Sequence, residues 1–349
     1  MRSNFQMATD LWRSSDTFQL SPPLSRIRSP QFGTSFPCGP LQIWARTDWR
    51  CDLGMDCTAS PDRKPAMIRY FLVLLTLVLL QGCSTVKLGY QQLPTLSYWW
   101  LDSAVSFNDS QAARAKDALA QVHQWHRTQE LATYQELLQR GMDLSQGPVQ
   151  ASQVCAVWTE IQAGMDRSMR VMVNKAAPVV TQLGPRQLSH LARHLEAKNE
   201  AWDKEWLQGS AAERLERRTD KTLERYRSFY GDLSASQIAL IKTQVSQSPW
   251  QPEWGRQERL RREQELLTAL RKLAQSDTPP EQAEAELWRV WQRWFMPPSE
   301  ADRVVMQKMS QQACDNLTQL HNTTSPEQRQ RLTRKLRSYE RDIRELLKP

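Results

Sequence analysis

The cysteines are the residues best suited to covalent chemistry, and their neighbours sort the six of them. Cys83 ends the run Leu80-Gln81-Gly82-Cys83, directly after an apolar stretch from Phe71 to Leu80 that itself follows Arg69. A basic residue, an apolar run and a small residue before a cysteine form the pattern of an export signal with a lipobox. A peptidase would cut between Gly82 and Cys83, and the exposed cysteine would carry covalent lipid. Gln81 departs from the small or β-branched residue usual at its place. The apolar run falls short of the roughly 20 residues that span a bilayer, so the segment reads as a cleaved signal and not as an anchor. Cys38, Cys51 and Cys57 precede it, which leaves Cys155 and Cys314 in the body that follows. In an oxidising compartment those two make a candidate disulfide; the alternative is a pair of buried free thiols.

Histidines offer a second kind of chemistry. His190 and His194 stand four apart on one helical face, a spacing that can hold a metal, but no Glu follows His190 and a third ligand would have to come from elsewhere. Solvated or hydrogen-bonded imidazoles are the simpler reading, for these two and for His123 and His126. No glycine-rich phosphate loop, nucleophile elbow or Cys-His dyad occurs, and glycine is scarce at 12 residues. The expectation is therefore a protein without catalytic residues, metal or cofactor beyond the lipid on Cys83, with a metal-dependent helical enzyme using His190 and His194 as an alternative. Binding is the remaining option. Arg214, Arg218, Lys221 and Arg225 form a basic stripe interleaved with Glu213, Glu216, Asp220 and Glu224, which reads as a solvated face laced with ion pairs. Together with the Trp202/Trp206 pair it is also where a client protein would be sought. The tryptophan sets Trp250/Trp254 and Trp288/Trp291/Trp294 read chiefly as helix–helix packing.

The elements that must position these residues are helices. Asn108-x-x-Gln111, Ser234-x-x-Gln237, Thr278-x-x-Glu281 and Ser325-x-x-Gln328 have the form of capping boxes, while Gly147-Pro148 and Gly184-Pro185 place glycine at the cap and proline at the first helical position. Apolar residues then recur at helical spacing, as in Leu188, Leu191, Leu195, Trp202 and Trp206, and again in Leu215, Thr222, Tyr226 and Phe229. Strand-like alternation is missing. The pattern predicts an all-α fold with helices near 108–140, 148–176, 185–207, 211–230, 235–247, 254–274, 279–295, 300–321 and 326–347.

The signal divides the chain. Residues 1–66 are proline-rich and aperiodic, and are read as an over-long leader ahead of a true start at Met67, or as a disordered extension. Residues 67–82 are the signal, 83–107 the lipidated cysteine with a tether and an aromatic segment, and 108–349 a single helical domain. The aromatic segment Tyr90 to Leu101 is expected either to plug the first helical pair or to lie among lipid headgroups. Of the net charge of +8, about +5 falls after residue 82, too diffuse for a nucleic-acid binder.

Two resemblances add to this. Leu183-Gly-Pro-Arg-Gln187 and Leu233-Ser-Ala-Ser-Gln237, with Thr324-Ser-Pro-Glu-Gln328 as a weaker copy, resemble the Leu-Thr-x-x-Gln signature of helical periplasmic proteins that include the Spy-type chaperones. More of the chain is similar to a family of Gram-negative lipoproteins known as a domain of unknown function. That likeness runs through the lipobox, Leu88-Gly-Tyr-x-Gln-Leu-Pro-Thr-x-x-Tyr-Trp-Trp-Leu-Asp102, Trp125-His126-Arg127, Cys155, Leu183-x-Pro-x-Gln187, Lys198-Asn199-x-x-Trp202, Tyr230-Gly231-x-Leu233, Cys314 and His321-Asn322-x-Thr324. It implies an exported helical lipoprotein held in a membrane by its lipid. Ser84 stands where an Asp retains such proteins in the inner membrane, so the resemblance favours the periplasmic face of the outer membrane. Unfolded or envelope proteins are the expected partners, and a structural role in an envelope complex is the alternative.

Overall fold

A computed structural model describes residues 85–275 and 278–348. The leader 1–66, the signal 67–82 and the acceptor Cys83 lie outside these residues. Among the described residues every element is helical: α1 Thr85–Gln91, α2 Leu93–Val105, α3 Asp109–Trp125, a π turn His126–Glu130, α4 Leu131–Leu144, α5 Ala151–Val180, α6 Pro185–Trp206, α7 Ala211–Tyr230, α8 Ala235–Ser246, α9 Pro252–Gln275, α10 Pro280–Phe295, α11 Glu300–Asn322 and α12 Pro326–Leu347. None of them is long and apolar enough to cross a membrane.

The all-α expectation holds, with local corrections. The stretch taken as a tether and aromatic segment is helical: Lys87 of α1 pairs with Glu345 of α12 at 2.8 Å, and the Tyr90 hydroxyl meets His126 Nδ1 at 2.9 Å. Tyr98 stacks on Phe107 beneath the Lys116 ammonium, whereas Trp99 is 56% exposed, so the segment divides between packing and solvent. The helix expected over 108–140 is broken by the π turn and runs on to Leu144. Pro148 does not open α5. Asn322 brackets Val149 instead, its Oδ1 accepting from Val149 N–H at 2.9 Å and its Nδ2 donating to Val149 C=O at 3.0 Å. That fixes the segment as extended chain until Gln150 caps the helix. Likewise Pro279, one residue after Thr278, caps α10.

Two apolar cores form, and one long helix enters the first of them. The first joins Val105 of α2, Val173 and Ala177 of α5, Leu188 and Leu191 of α6, Leu270 and Leu273 of α9, and Leu287 of α10. Leu223 and Tyr230 of α7, Ile241 and Val245 of α8, and Leu320 of α11 make the second. At about 1.5 Å per residue the 30-residue α5 reaches roughly 45 Å, long enough for its C-terminal half to enter the first core while its N-terminal half faces the helices of the second. Both cores lie wholly within residues 85–348, so this stretch carries what it needs to fold alone.

The glutamines of the capping boxes also tie helix starts together in pairs. Gln237 Oε1 accepts from the Ser234 N–H, as a capping box requires, while its Nε2 donates to Thr323 C=O and to Gln328 Oε1. Gln328 reciprocates toward Asp232 C=O and Gln237 Oε1. Gln111 and Gln187 repeat the arrangement, donating to Gln182 C=O and Ser106 C=O and to each other. In all four cases the carbonyl reached lies two residues before the partner helix's cap. The Leu-Thr-x-x-Gln-like segments at 183–187, 233–237 and 324–328 are thus parts of two interhelical clasps. Gln237 is 3% exposed, so Gln237→Ala strands buried polar groups and should cost about 2–3 kcal/mol. A double-mutant cycle with Gln328→Ala in urea should show coupling of about 1 kcal/mol or more, and additive losses would contradict the clasp.

Candidate functional site

Helix α7 carries the residues from which a site is built. Leu215, Thr222, Tyr226 and Phe229 repeat at helical spacing, and Arg218 falls on the same face, three residues after Leu215 and four before Thr222. This face does not close fully against its neighbours. It opens onto an apolar cavity of about 320 Å³ walled by Val154, Val157, Trp158 and Ile161 of α5, Tyr226, Phe229 and Tyr230 of α7, Val245 of α8, Met309, Ala313 and Leu317 of α11, and Leu332 and Leu336 of α12.

The Cys155–Cys314 disulfide is formed, at an S–S distance of 2.04 Å. It bolts α5 to α11 beside the lining residues Val154 and Ala313, and so fixes the separation of two cavity walls. His321 fixes a third. Its Nε2 faces Gly147 C=O at 2.9 Å and must carry the proton, which leaves Nδ1 to accept from the Tyr230 hydroxyl at 3.0 Å. Burial holds the imidazole below its ordinary value and pushes the Tyr230 phenol up.

Most polar groups on the lining are already engaged. Gln244 donates to Asn316 C=O and Gln319 Oε1, and Gln312 to Gln247 C=O. Arg218 differs. It is only 6% exposed, its Nη2 donates to Val245 C=O at 3.2 Å, its guanidinium lies 5.1 Å from the Trp250 ring, and its Nε–H finds no acceptor. Among the described residues it makes no ion pair. Glu253, the nearest acidic influence, is bonded to Arg214 at 3.2 Å. Burial accordingly holds Arg218 below the usual arginine range.

The stripe expected to be solvated is therefore split. Arg214 pairs with Glu253, and Lys221 pairs with Glu205 while lying 4.8 Å from the Trp206 ring. Arg218 and Arg225 line the cavity. Trp206 is buried and packs between Trp202, at 6.3 Å, and Trp250, at 5.7 Å, so these rings form a packed cluster and not an open aromatic groove. His190 Nε2 faces Ser103 C=O at 3.0 Å, and among the described residues no group of three His, Cys, Asp or Glu side chains is placed to hold a metal ion. His123 and His126 both bond to Tyr90, whose phenol burial pushes up to about 12. The sequence reading missed Trp158, Tyr230, Val245, Trp250 and His321 as neighbours of one site. Only the α7 stripe and the His321-Asn322 pair carried a local signal.

Comparison with known families adds one finding. The family described as "Family of unknown function (DUF6279)" matches residues 103–279, just over half of the chain. The chain belongs to that family. The DUF6279 match takes in α3 through α9, so it contains Arg218, the α5, α7 and α8 walls of the cavity and Cys155, while Cys314 and the walls from α11 and α12 lie beyond it. No curated protein and no solved structure matches the chain significantly.

The buried histidines make stability depend on pH. His321, His126, His123 and His194 are all held below their ordinary 6.5, chiefly by desolvation. The folded state then binds fewer protons than the unfolded state, so their contribution is full above about pH 6.5 and is lost as pH falls below it. Glu263, raised above 4.5 by burial, works in the opposite sense just above that value. Urea midpoints should fall between pH 7.5 and 5.5; equal midpoints would contradict histidines held below their ordinary value in the fold.

Proposed function

We propose that this protein is an exported, lipid-anchored binding protein whose helical body holds a small, largely apolar ligand and performs no catalysis. The observation that carries the reading is the cavity, which is apolar on most of its wall and held open by a disulfide and a histidine clamp. Membrane attachment rests on the lipobox at Cys83, and the Cys155–Cys314 bridge suits an oxidising periplasm. Residence on the outer membrane follows from Ser84 after the acceptor cysteine. A cavity of about 320 Å³ with a mostly apolar wall suits a small ligand.

Two measurements test the two halves. Intact-mass analysis of protein extracted from membranes should show a lipid-modified chain beginning at Cys83, and an unmodified N-terminus would remove the anchor. A secreted Ser84–Pro349 form, stripped of lipid, should take up the neutral probe N-phenyl-1-naphthylamine saturably and at one to one. Uptake that never saturates would remove the cavity as a site.

A further inference from the structure

Resting on the cavity as a ligand site, we infer that it takes a single-chain amphiphile whose anionic head lies against Arg218 and whose tail fills the apolar space beyond. A guanidinium 6% exposed, with one carbonyl and one aromatic ring as partners, an unbonded Nε–H and no carboxylate paired to it, is a charge the fold buries with little compensation. Proteins pair such charges because water no longer solvates them, and an anion brought by a ligand supplies the missing partner. Arginine is also the cation best matched to the two oxygens of a carboxylate or phosphate. Arg225, two turns along α7, lines the same wall.

The rest of the lining says what the remainder of the ligand is. Gln244, Gln312 and His321 spend their polar atoms within the protein, so a sugar or peptide would find few partners. Trp158, Tyr226, Phe229 and the aliphatic walls favour hydrocarbon. The volume of about 320 Å³ is roughly twice that of an engineered cavity of about 150 Å³ that admits one benzene, enough for a tail of about a dozen carbons and too small for two long chains. A fatty acid and a lysophospholipid bearing a bare phosphate share this chemistry.

The test uses the delipidated Ser84–Pro349 form with N-phenyl-1-naphthylamine as reporter and dodecanoate, dodecanol and dodecanoyl-lysophosphatidate as competitors. Dodecanoate should displace the probe at a concentration about tenfold lower than dodecanol, the size of a charge-assisted hydrogen bond. Arg218→Met should abolish that preference while leaving probe and dodecanol affinities within about threefold of the wild type. A stronger effect of the lysophosphatidate would identify a phosphate head, and a weaker one a carboxylate; either supports an anionic amphiphile. Equal displacement by dodecanoate and dodecanol, or a preference that survives Arg218→Met, overturns the inference while leaving the cavity a binding site. The wild-type comparison needs no variant and decides even if Arg218→Met fails to fold. If the probe itself does not bind saturably, the cavity reading fails and the head-group assignment with it.

Discussion

Replacing both Cys155 and Cys314 by alanine should lower the stability of the helical body by about 5 kcal/mol, a large part of what a protein of this size usually has. The bridge closes a loop with a sequence separation of 159, and the chain-entropy model ties the gain to the logarithm of that length. Cys314 is 1% exposed, so its loss also removes packing at a cavity wall. The denaturation temperature should fall by about 10–20 °C, and loss of the fixed wall spacing should weaken probe uptake further. Comparing oxidised, reduced and doubly substituted protein by calorimetry checks this. Midpoints within about 2 °C of each other would mean that the bridge constrains little in the unfolded chain.

The second large effect is expected at the π turn. Glu130 is 2% exposed, and its carboxylate accepts from Arg167 Nε at 3.0 Å and Nη2 at 2.6 Å. Gly164 makes the approach possible, because a Cβ there would come within 2.7 Å of Glu130 Oε1 and 3.1 Å of the Tyr134 hydroxyl. Arg167→Met leaves a buried carboxylate with nothing to neutralise it, a loss of about 3–5 kcal/mol in comparable pairs. The Arg167 side chain is 46% exposed, which points to the lower end, about 3 kcal/mol. A further Glu130→Gln substitution should restore part of the loss by removing the stranded charge. The half-buried Lys87–Glu345 pair, by contrast, should contribute about 1 kcal/mol or less. Urea melts of the three proteins at pH 7 decide the matter. A loss below about 1 kcal/mol for Arg167→Met would show that water reaches Glu130.

How much of this could be seen in the sequence follows from the range of each interaction. Helix starts at Asn108, Ser234 and Ser325 were legible because a cap and its acceptor lie three residues apart, and Gly184-Pro185 because proline at the first helical position acts locally. The start near Pro148 was misplaced because Asn322, 173 positions away, holds Val149 in extended chain. The π turn inserts one residue without disturbing the apolar period enough to be noticed. Cys155 and Cys314 could be paired as the two cysteines left after the signal. The cavity could not be read at all, since its walls come from six helices whose meeting is a property of the whole bundle. Arg218 shows the same limit within a single helix: its spacing fits the basic stripe and the apolar stripe equally well, and only packing decides that it faces inward.

Whether the helical body holds one small amphiphile is decided by native mass spectrometry of the freshly isolated periplasmic Ser84–Pro349 form. A second species is expected, heavier than the polypeptide by one small molecule, that disappears on unfolding in organic solvent and whose extract contains a single-chain anionic amphiphile in near-stoichiometric amount. A spectrum showing only the bare polypeptide mass, with no such molecule in the extract and no adduct after incubation with dodecanoate, would contradict it.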